Sequence, residues 1–333
     1  NKSAVAAFEK ILGKKITVPS HNEVLGAIGV AIVAMEEKTE KSRFKGFGLS
    51  DVSYRMESFE CQDCPNHCKV NQVWIKGEEK PLTYGDRCDK YSGKERKTEA
   101  KGIPNLFKER DKLLFCRRKK RAKKGRVGIP RALYNFELFP LWENFFTELG
   151  YEVVLSDKTN DTIIDKGVEV VVGEPCFPIK VAHGHILNLL EKRVDYIFLP
   201  SLIDFKKTDE KLKRSYNCPW SQSLPYSVNS VIDRKEYPVK FLEPKISLKE
   251  GVEKALNKIG KELNESPYKI KKAIKVAEEA QSQFYENLKK RGKEVLRSLG
   301  EKRAFVIISR PYNGCDPGLN LDIVEKMRDL GML

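Results

Sequence analysis

Eight cysteines, at positions 61, 64, 68, 88, 116, 176, 218 and 315, are the residues of this 333-residue chain best placed to do chemistry. The first three fall as Cys61-Gln-Asp-Cys64-Pro-Asn-His-Cys68 and the fourth, in Gly85-Asp86-Arg87-Cys88, follows after nineteen intervening residues. Four thiolates suit either tetrahedral zinc or a cubane iron–sulfur cluster, because soft sulfur ligands favour both. Turns at Cys64-Pro65 and Gly85-Asp86 would let two loops converge on one centre. The spacing, two residues then three, reverses the pattern of radical enzymes that use S-adenosylmethionine, so that chemistry is not implied. His67 reads as a neighbour of a shell that four thiolates already complete. Cys176 lies between a predicted strand and a predicted helix, at the edge where α/β crevices form and where a helix start stabilises a thiolate. Cys218 could reach the same edge. On the residues alone, each is as readily a buried inert thiol as a ligand, and Cys116 reads as unengaged. His183-Gly184-His185 invites a metal pair, but residues two apart on a helix face different ways, so at most one could touch an ion.

The elements that must position these residues follow from periodicity. A helix is expected over Ala4–Leu12, a strand over Lys15–Val18, a turn at Pro19-Ser20 and a small-residue helix over Val24–Met35. From Arg126 the pattern changes: strand Arg126–Pro130, an amphipathic helix over Phe136–Leu149 stopped by Gly150, and strands Glu152–Ser156 and Glu169–Gly173. Helix Ile179–Lys192 and strand Tyr196–Pro200 come next. Phe136, Phe139, Trp142, Phe145 and Phe146 recur at helical spacing and are read as core. Leu248–Leu299 is charged and helical with a break near Ser266-Pro267. Strand Ala304–Ile308 and helix Leu319–Leu330 then restart the alternation. Apolar runs alternating with helices predict an α/β fold with a mostly parallel, doubly wound sheet.

Composition bounds the function. With 40% hydrophobic and 33% charged residues the chain reads as an ordinary globular protein. Its longest apolar run, Val24–Met35, is shorter than the roughly 20 residues a spanning helix needs. With no secretory signal pattern either, a cytoplasmic location without membrane association is expected, and there paired disulfides are disfavoured. The net charge of +15 is concentrated between Arg117 and Arg126, where eight of ten residues are basic. No aromatic is interleaved there for base stacking, which favours a solvated linker or an acidic partner over nucleic acid. No Gly-x-Gly-x-x-Gly loop and no P-loop is present, so a self-contained nucleotide site is not expected. The start at Asn1 and the end at Gly331-Met332-Leu333 read as those of a fragment.

Several segments together resemble a known family: Arg126-Val-Gly-Ile-Pro-Arg-Ala-Leu133, Phe139-Pro-Leu-Trp-Glu-Asn-Phe-Phe-Thr-Glu-Leu-Gly150, and Gly173-Glu-Pro-Cys-Phe-Pro-Ile-Lys-Val-Ala-His-Gly-His185. Tyr196-Ile-Phe-Leu-Pro200 and Asn217-Cys-Pro-Trp-Ser-Gln222 complete the set. They resemble the CoA-substrate-specific enzyme activases, large proteins related to the activators of 2-hydroxyacyl-CoA dehydratases. The start, through Val18-Pro19 to Gly26-Ala-Ile-Gly-Val-Ala31, is similar to the end of their actin-like ATPase domain. The resemblance implies a division into an ATPase tail (1–38), a cysteine-rich metal or iron–sulfur module (39–110) and a basic linker (111–125). An α/β lobe (126–245), a helical segment (246–300) and the start of a second lobe (301–333) would follow.

It also implies an ATP-driven, low-potential electron-transfer system holding an iron–sulfur cluster, 4Fe-4S by analogy. Its partners would be a CoA-ester dehydratase or a benzoyl-CoA reductase-like component, with a low-potential electron donor; a homodimer is one assembly it allows. ATP would act only through catalytic motifs upstream of Asn1, so this piece alone should not hydrolyse it. By the same resemblance Cys176 and Cys218 would be ligands of a second cluster, with Lys180, His183 and His185 as surrounding donors. Cys315 departs from the family pattern after Arg310-Pro-Tyr-Asn313, so it is the weakest ligand candidate. Two other readings stand beside this one: a double-cubane reductase of small molecules, and a non-redox scaffold with zinc at Cys61 to Cys88 and a CoA-ester-binding α/β module.

Overall fold

A computed structural model describes residues 2–36, 48, 52–62, 67–86, 90–91, 103–116, 124–207, 211, 214–300 and 304–333. Cys64, Cys88 and most of the basic run at 117–126 lie outside the described residues. The chain forms two compact units, Asn1–Arg55 with Ile75–Glu78, and Met56–Trp74 with Glu79–Leu333.

The first unit holds helices α1 (Lys2–Leu12) and α2 (Leu25–Glu36), as the apolar spacing predicts. The strand expected over Lys15–Val18 does not form. That stretch has no ladder partner among the described residues and is tied back only where Ile16 N–H donates to Glu9 Oε1 at 3.0 Å. Helix α2 is apolar on all sides and buries none of its residues.

The second unit begins with a three-stranded sheet of β1 (Tyr54–Glu60), β2 (Lys69–Ile75) and β3 (Leu82–Tyr84), in which β2 and β3 are antiparallel. Then come α3 (Leu106–Leu114), β4 (Arg126–Ile129), α4 (Asn135–Leu149), β5 (Glu152–Leu155), α5 (Asp161–Val170), α6 (Phe177–Glu191), β6 (Tyr196–Phe198) and β7 (Ser201–Asp204). The chain continues through α7 (Pro219–Gln222), α8 (Leu224–Val231), β8 (Lys240–Leu242), β9 (Lys245–Ser247), α9 (Glu253–Glu262), α10 (Pro267–Ser298), α11 (Pro311–Cys315), α12 (Pro317–Asn320) and α13 (Ile323–Asp329). The main sheet has the order β5-β4-β6-β8 with every pairing parallel, as the alternation of apolar runs and helices predicts. Beyond it β7 pairs with β9, also in parallel. Pro200 and Pro244 lack an N–H, which interrupts what is otherwise a continuous ladder: Leu199 N–H reaches Leu242 O at 2.9 Å and Ser201 N–H reaches Pro244 O at 2.9 Å.

Helix α4 is the centre of the core. Phe139, Trp142, Phe145 and Phe146 are almost fully buried, and Trp142 and Phe146 both pack on Phe198 of β6. Pro140 leaves helix carbonyls without their usual donors. Arg110 of α3 donates to Phe136 O at 2.6 Å, and Gln281 of α10 bridges Glu137 O at 3.0 Å and Leu141 N–H at 3.2 Å. Sequence-distant helices are thereby locked onto the core.

Three expected elements differ from those observed. The strand read at Glu169–Gly173 is instead the end of α5 and an exit loop; Asn160 accepts a hydrogen bond from Ile163 N–H at the helix start, and α5 lies against α6. Packing on α6 outweighs the β-branched composition of the Val run. Replacing Asn160 by alanine should cost about 1 kcal/mol, read as a lower urea midpoint. Ala304–Ile308 makes no strand ladder, and Val306 and Ile308 are exposed. Leu319–Leu330 is broken into two helices at Leu321 and Asp322, whose φ angles are 53° and 58°.

Candidate functional site

Strand β5 lies on one side of β4 and β6 on the other, so the connections leaving the carboxyl ends of β4 and β6 diverge and open a crevice between them. Pro130, Leu133 and Tyr134 after β4, Leu199 and Pro200 after β6, and Asn217 line a small cavity of about 40 Å³ there. Through Tyr134 and Asn217 it adjoins an open cleft of about 360 Å³ that contains Cys218, Lys206, Lys207, Arg214 and Arg310.

Backbone pairing builds this cleft. The returning segment forms an antiparallel bridge, Tyr216 to Asp204, with Phe205 N–H on Ser215 O at 2.9 Å and Asn217 N–H on Ile203 O at 2.8 Å. Arg214 and Tyr216 are therefore held beside Lys206 and Lys207. Asn217 is buried and fixes the turn into α7: its Nδ2 donates to Leu202 O at 3.1 Å and its Oδ1 accepts from Cys218 N–H at 2.7 Å.

Cys218 sits at the start of α7. Burial pushes its thiol up, but the backbone amides of Ser221 and Trp220 and the Arg310 guanidinium outweigh this and hold it below its ordinary value. Arg310 is itself oriented by a 3.0 Å bond from Nη1 to the Tyr312 hydroxyl, and Tyr312 packs edge-on against Tyr134. Burial, followed by the neighbouring Tyr312, raises the Tyr134 hydroxyl to about 12, so it stays neutral. Cys176 occupies the first position before α6, exposed and without a side-chain hydrogen bond to the helix start. Cys315 is different: burial pushes its thiol up. The sulfurs of Cys176, Cys218 and Cys315 do not converge as a set within 4.8 Å among the described residues.

Both histidines of His183-Gly184-His185 are buried with both ring nitrogens already engaged. His183 contacts Ile179 O at 2.8 Å and Ser227 Oγ at 3.2 Å, and burial lowers its pKa. His185 contacts Ser156 Oγ at 2.8 Å and Thr159 Oγ1 at 3.0 Å, and burial, with Arg131 nearby, takes its pKa down to about 3. Thr159 in turn donates to Asp316 Oδ2 at 2.5 Å. Both imidazoles are therefore structural and neutral. Lys180 is paired with Glu174 at 2.7 Å on the outer face of α6.

A family model described as the CoA enzyme activase uncharacterised domain matches residues 126–333. The chain belongs to this family. No curated protein and no solved structure matches it. The matched region includes the crevice, Cys176, Cys218, Cys315 and the basic cleft.

Of the four cysteines between 61 and 88, Cys61 and Cys68 are described. They close the β1–β2 connection, with Cys61 N–H on Cys68 O at 2.9 Å. Cys61 is buried, and the Tyr91 hydroxyl lies 3.7 Å from its sulfur while Tyr91 N–H donates to Asp86 Oδ2 at 2.7 Å. Tyr91 thus sits beside Cys61. Gly85 is required here: its φ is 100°, and a Cβ would overlap Lys69 O. His67 turns instead to Glu60 at 3.0 Å and to Asp161 at 3.7 Å, and one ligand atom from each of the three lies within 4.8 Å of the others. Sequence reading misses this trio because Asp161 is distant in the chain. It misses Lys206, Lys207, Arg214 and Tyr134 at the cleft because their meeting depends on the Tyr216–Asp204 bridge. Arg310 was within reach, since the Arg310-Pro-Tyr-Asn313 motif marks it. No helix among the described residues is long and apolar enough to cross a membrane.

Proposed function

We propose that this chain is the iron–sulfur electron-transfer part of an ATP-driven activator system serving a 2-hydroxyacyl-CoA dehydratase or a benzoyl-CoA reductase-like enzyme. The family match supports an activator role connected with CoA enzymes in general. The observation that carries the electron-transfer reading is Cys218, a thiol held low at the carboxyl edge of the sheet by Arg310 and two backbone amides. Cys176, unbonded at the head of α6, is the second sulfur the family relationship points to.

A bound iron–sulfur cluster would supply one-electron chemistry at low potential. The chain's own residues supply the surroundings: Cys176 and Cys218 hold, Arg310 donates to the Cys218 sulfur, and Tyr134 and Tyr312 keep that side of the sulfur against packed rings. Neutral His183 and His185 act through position, fixing α6 to α8 and to the β5 exit. Cys61 and Cys68, with Cys64 and Cys88, form a separate centre in this reading, with zinc or a cluster as its occupant. The uncovered apolar surface of α2 supports its assignment to the end of a larger ATPase domain, since a helix apolar all round belongs inside a core.

Anaerobic purification, iron–sulfur reconstitution and metal analysis test this directly. Iron with broad visible sulfur-to-iron absorption is expected. Zinc alone, with no such absorption after reconstitution, would favour the scaffold reading and end this one.

A further inference from the structure

The open cleft beside Cys218 has a chemistry of its own. Its lining includes four cationic side chains, Lys206, Lys207, Arg214 and Arg310. No carboxylate among the described residues lines it. Lys206, Lys207 and Arg214 are exposed and form no ion pair among the described residues, unlike Lys180, Lys192 and Lys272, which pair with Glu174, Asp157 and Glu148. Counting the whole connection from Phe205 to Arg214 does not remove the excess, since it carries five cations against Asp209 and Glu210. The bridge from Tyr216 to Asp204 fixes Arg214 opposite the two lysines, so the charges converge on a concave space of about 360 Å³. Keeping like charges this close costs free energy unless an anion is bound between them.

We propose that this cleft is a binding site for a ligand with two linked phosphate groups, an organic diphosphate ester. A terminal phosphate carries about −1.5 to −2 charges near neutrality and a phosphate linked to it about −1 more, so two linked groups come closer to balancing this cluster than one would. The flexible ammonium groups of Lys206 and Lys207 act as point charges, Arg214 presents a planar fork suited to phosphate oxygens, and Arg310, held on Tyr312 and Cys218, adds its positive charge. Tyr216, largely exposed on the same rim, offers an apolar ring for the organic body of the ester. The position fits the rule that open α/β sheets take ligands at the carboxyl ends of strands where connections diverge. This site goes beyond the electron-transfer reading and stands whether or not Cys218 holds iron.

Isothermal titration calorimetry of the whole 333-residue chain with inorganic pyrophosphate decides the matter. One saturable site is expected, weakening as salt is raised, with orthophosphate bound at least about tenfold more weakly. The double variant Lys207→Ala/Arg214→Ala should lose at least about tenfold in affinity while its thermal unfolding stays unchanged, because both side chains are exposed. Cys218→Ser should still bind pyrophosphate, which separates this site from any loss of iron. Absence of saturable binding, or equal binding by the double variant, would overturn the proposal. So would a poly-glutamate peptide that binds more tightly than pyrophosphate, since that marks the cleft as a face for an acidic protein.

Discussion

Replacing Gly184 by alanine destabilises the chain by about 2–3 kcal/mol, whereas the same change at Gly292 stabilises it by about 0.5–1 kcal/mol. The two glycines both sit inside helices, α6 and α10, so the intrinsic gain from alanine is the same. What differs is the space. A Cβ on Gly184 would overlap the carbonyl of Ile163 in α5, and a Cβ on Gly167 of α5 would overlap the carbonyl of Lys180 in α6. The obstacle is backbone on both sides, so no side chain can turn away to relieve it. Around Gly292 nothing lies within 4 Å. Urea unfolding of the two variants beside the unsubstituted chain measures the difference. A Gly184→Ala chain as stable as the original would mean that α5 and α6 do not meet as closely as described.

The second large effect is a compensation between two buried groups. The His185 pKa is lowered from 6.5 to about 3 by burial first and then by the positive charge of Arg131. The unfolded chain therefore takes up a proton that the folded chain refuses. Stability from this source is present above 6.5 and lost as pH falls toward 3. The Asp316 pKa is raised from 3.8 to about 6, chiefly by burial, with Asp111 adding to the rise and Thr159, Gly318 N–H and Arg131 opposing it. Here the folded chain keeps a proton that the unfolded chain has released, so the contribution is present below 3.8 and lost as pH rises through about 6. Between those two values each group changes stability by about 1.4 kcal/mol per pH unit, with opposite sign. Their sum is close to flat.

Asp316→Asn keeps a single acceptor oxygen, enough for Gly318 N–H or the Thr159 hydroxyl but not both, a cost that is the same at every pH, and it removes one side of that balance. Relative to the original chain, the variant should lose about 2–3 kcal/mol as pH falls from about 6 to 3.8. Urea unfolding at several pH values within that interval provides the measurement. Parallel profiles for the two proteins would show that Asp316 is not held protonated.

How far the sequence reveals these features depends on the range of the interactions that create them. The aromatic spacing of α4 and the stop at Gly150, whose φ is 98°, are local properties, and they are visible in the residues alone. Strands β4 and β5 and helices α6 and α10 are visible for the same reason. The Val run at 168–172 misleads because β-branched residues suggest a strand, while Gly167 and Ile163 commit the preceding turns to packing on α6. Strands β8 and β9 are three residues each and interrupted at Pro244, too short to carry an alternation. His183-Gly184-His185 looks like a ligand pair because the glycine's purpose, passage against α5, depends on a segment the motif does not contain.

The candidate site divides in the same way. Cys176 and Cys218 are marked by local motifs, each followed by Pro or Phe-Pro at the start of a helix. The cations around Cys218 are not, because Arg214 meets Lys206 only after the segment folds back on β7. Cys315 reads as a cysteine like the others, yet its position at the end of α11 leaves the thiol largely buried and raises its pKa.

The most direct test of the electron-transfer account is iron bound per chain after anaerobic reconstitution, compared between Cys176→Ser/Cys218→Ser and Cys61→Ser/Cys68→Ser. The account predicts that the first pair loses the low-potential cluster, with a clear fall in iron and in its reducible signal, while the second pair retains that cluster. Iron content unchanged by the loss of Cys176 and Cys218 would contradict it.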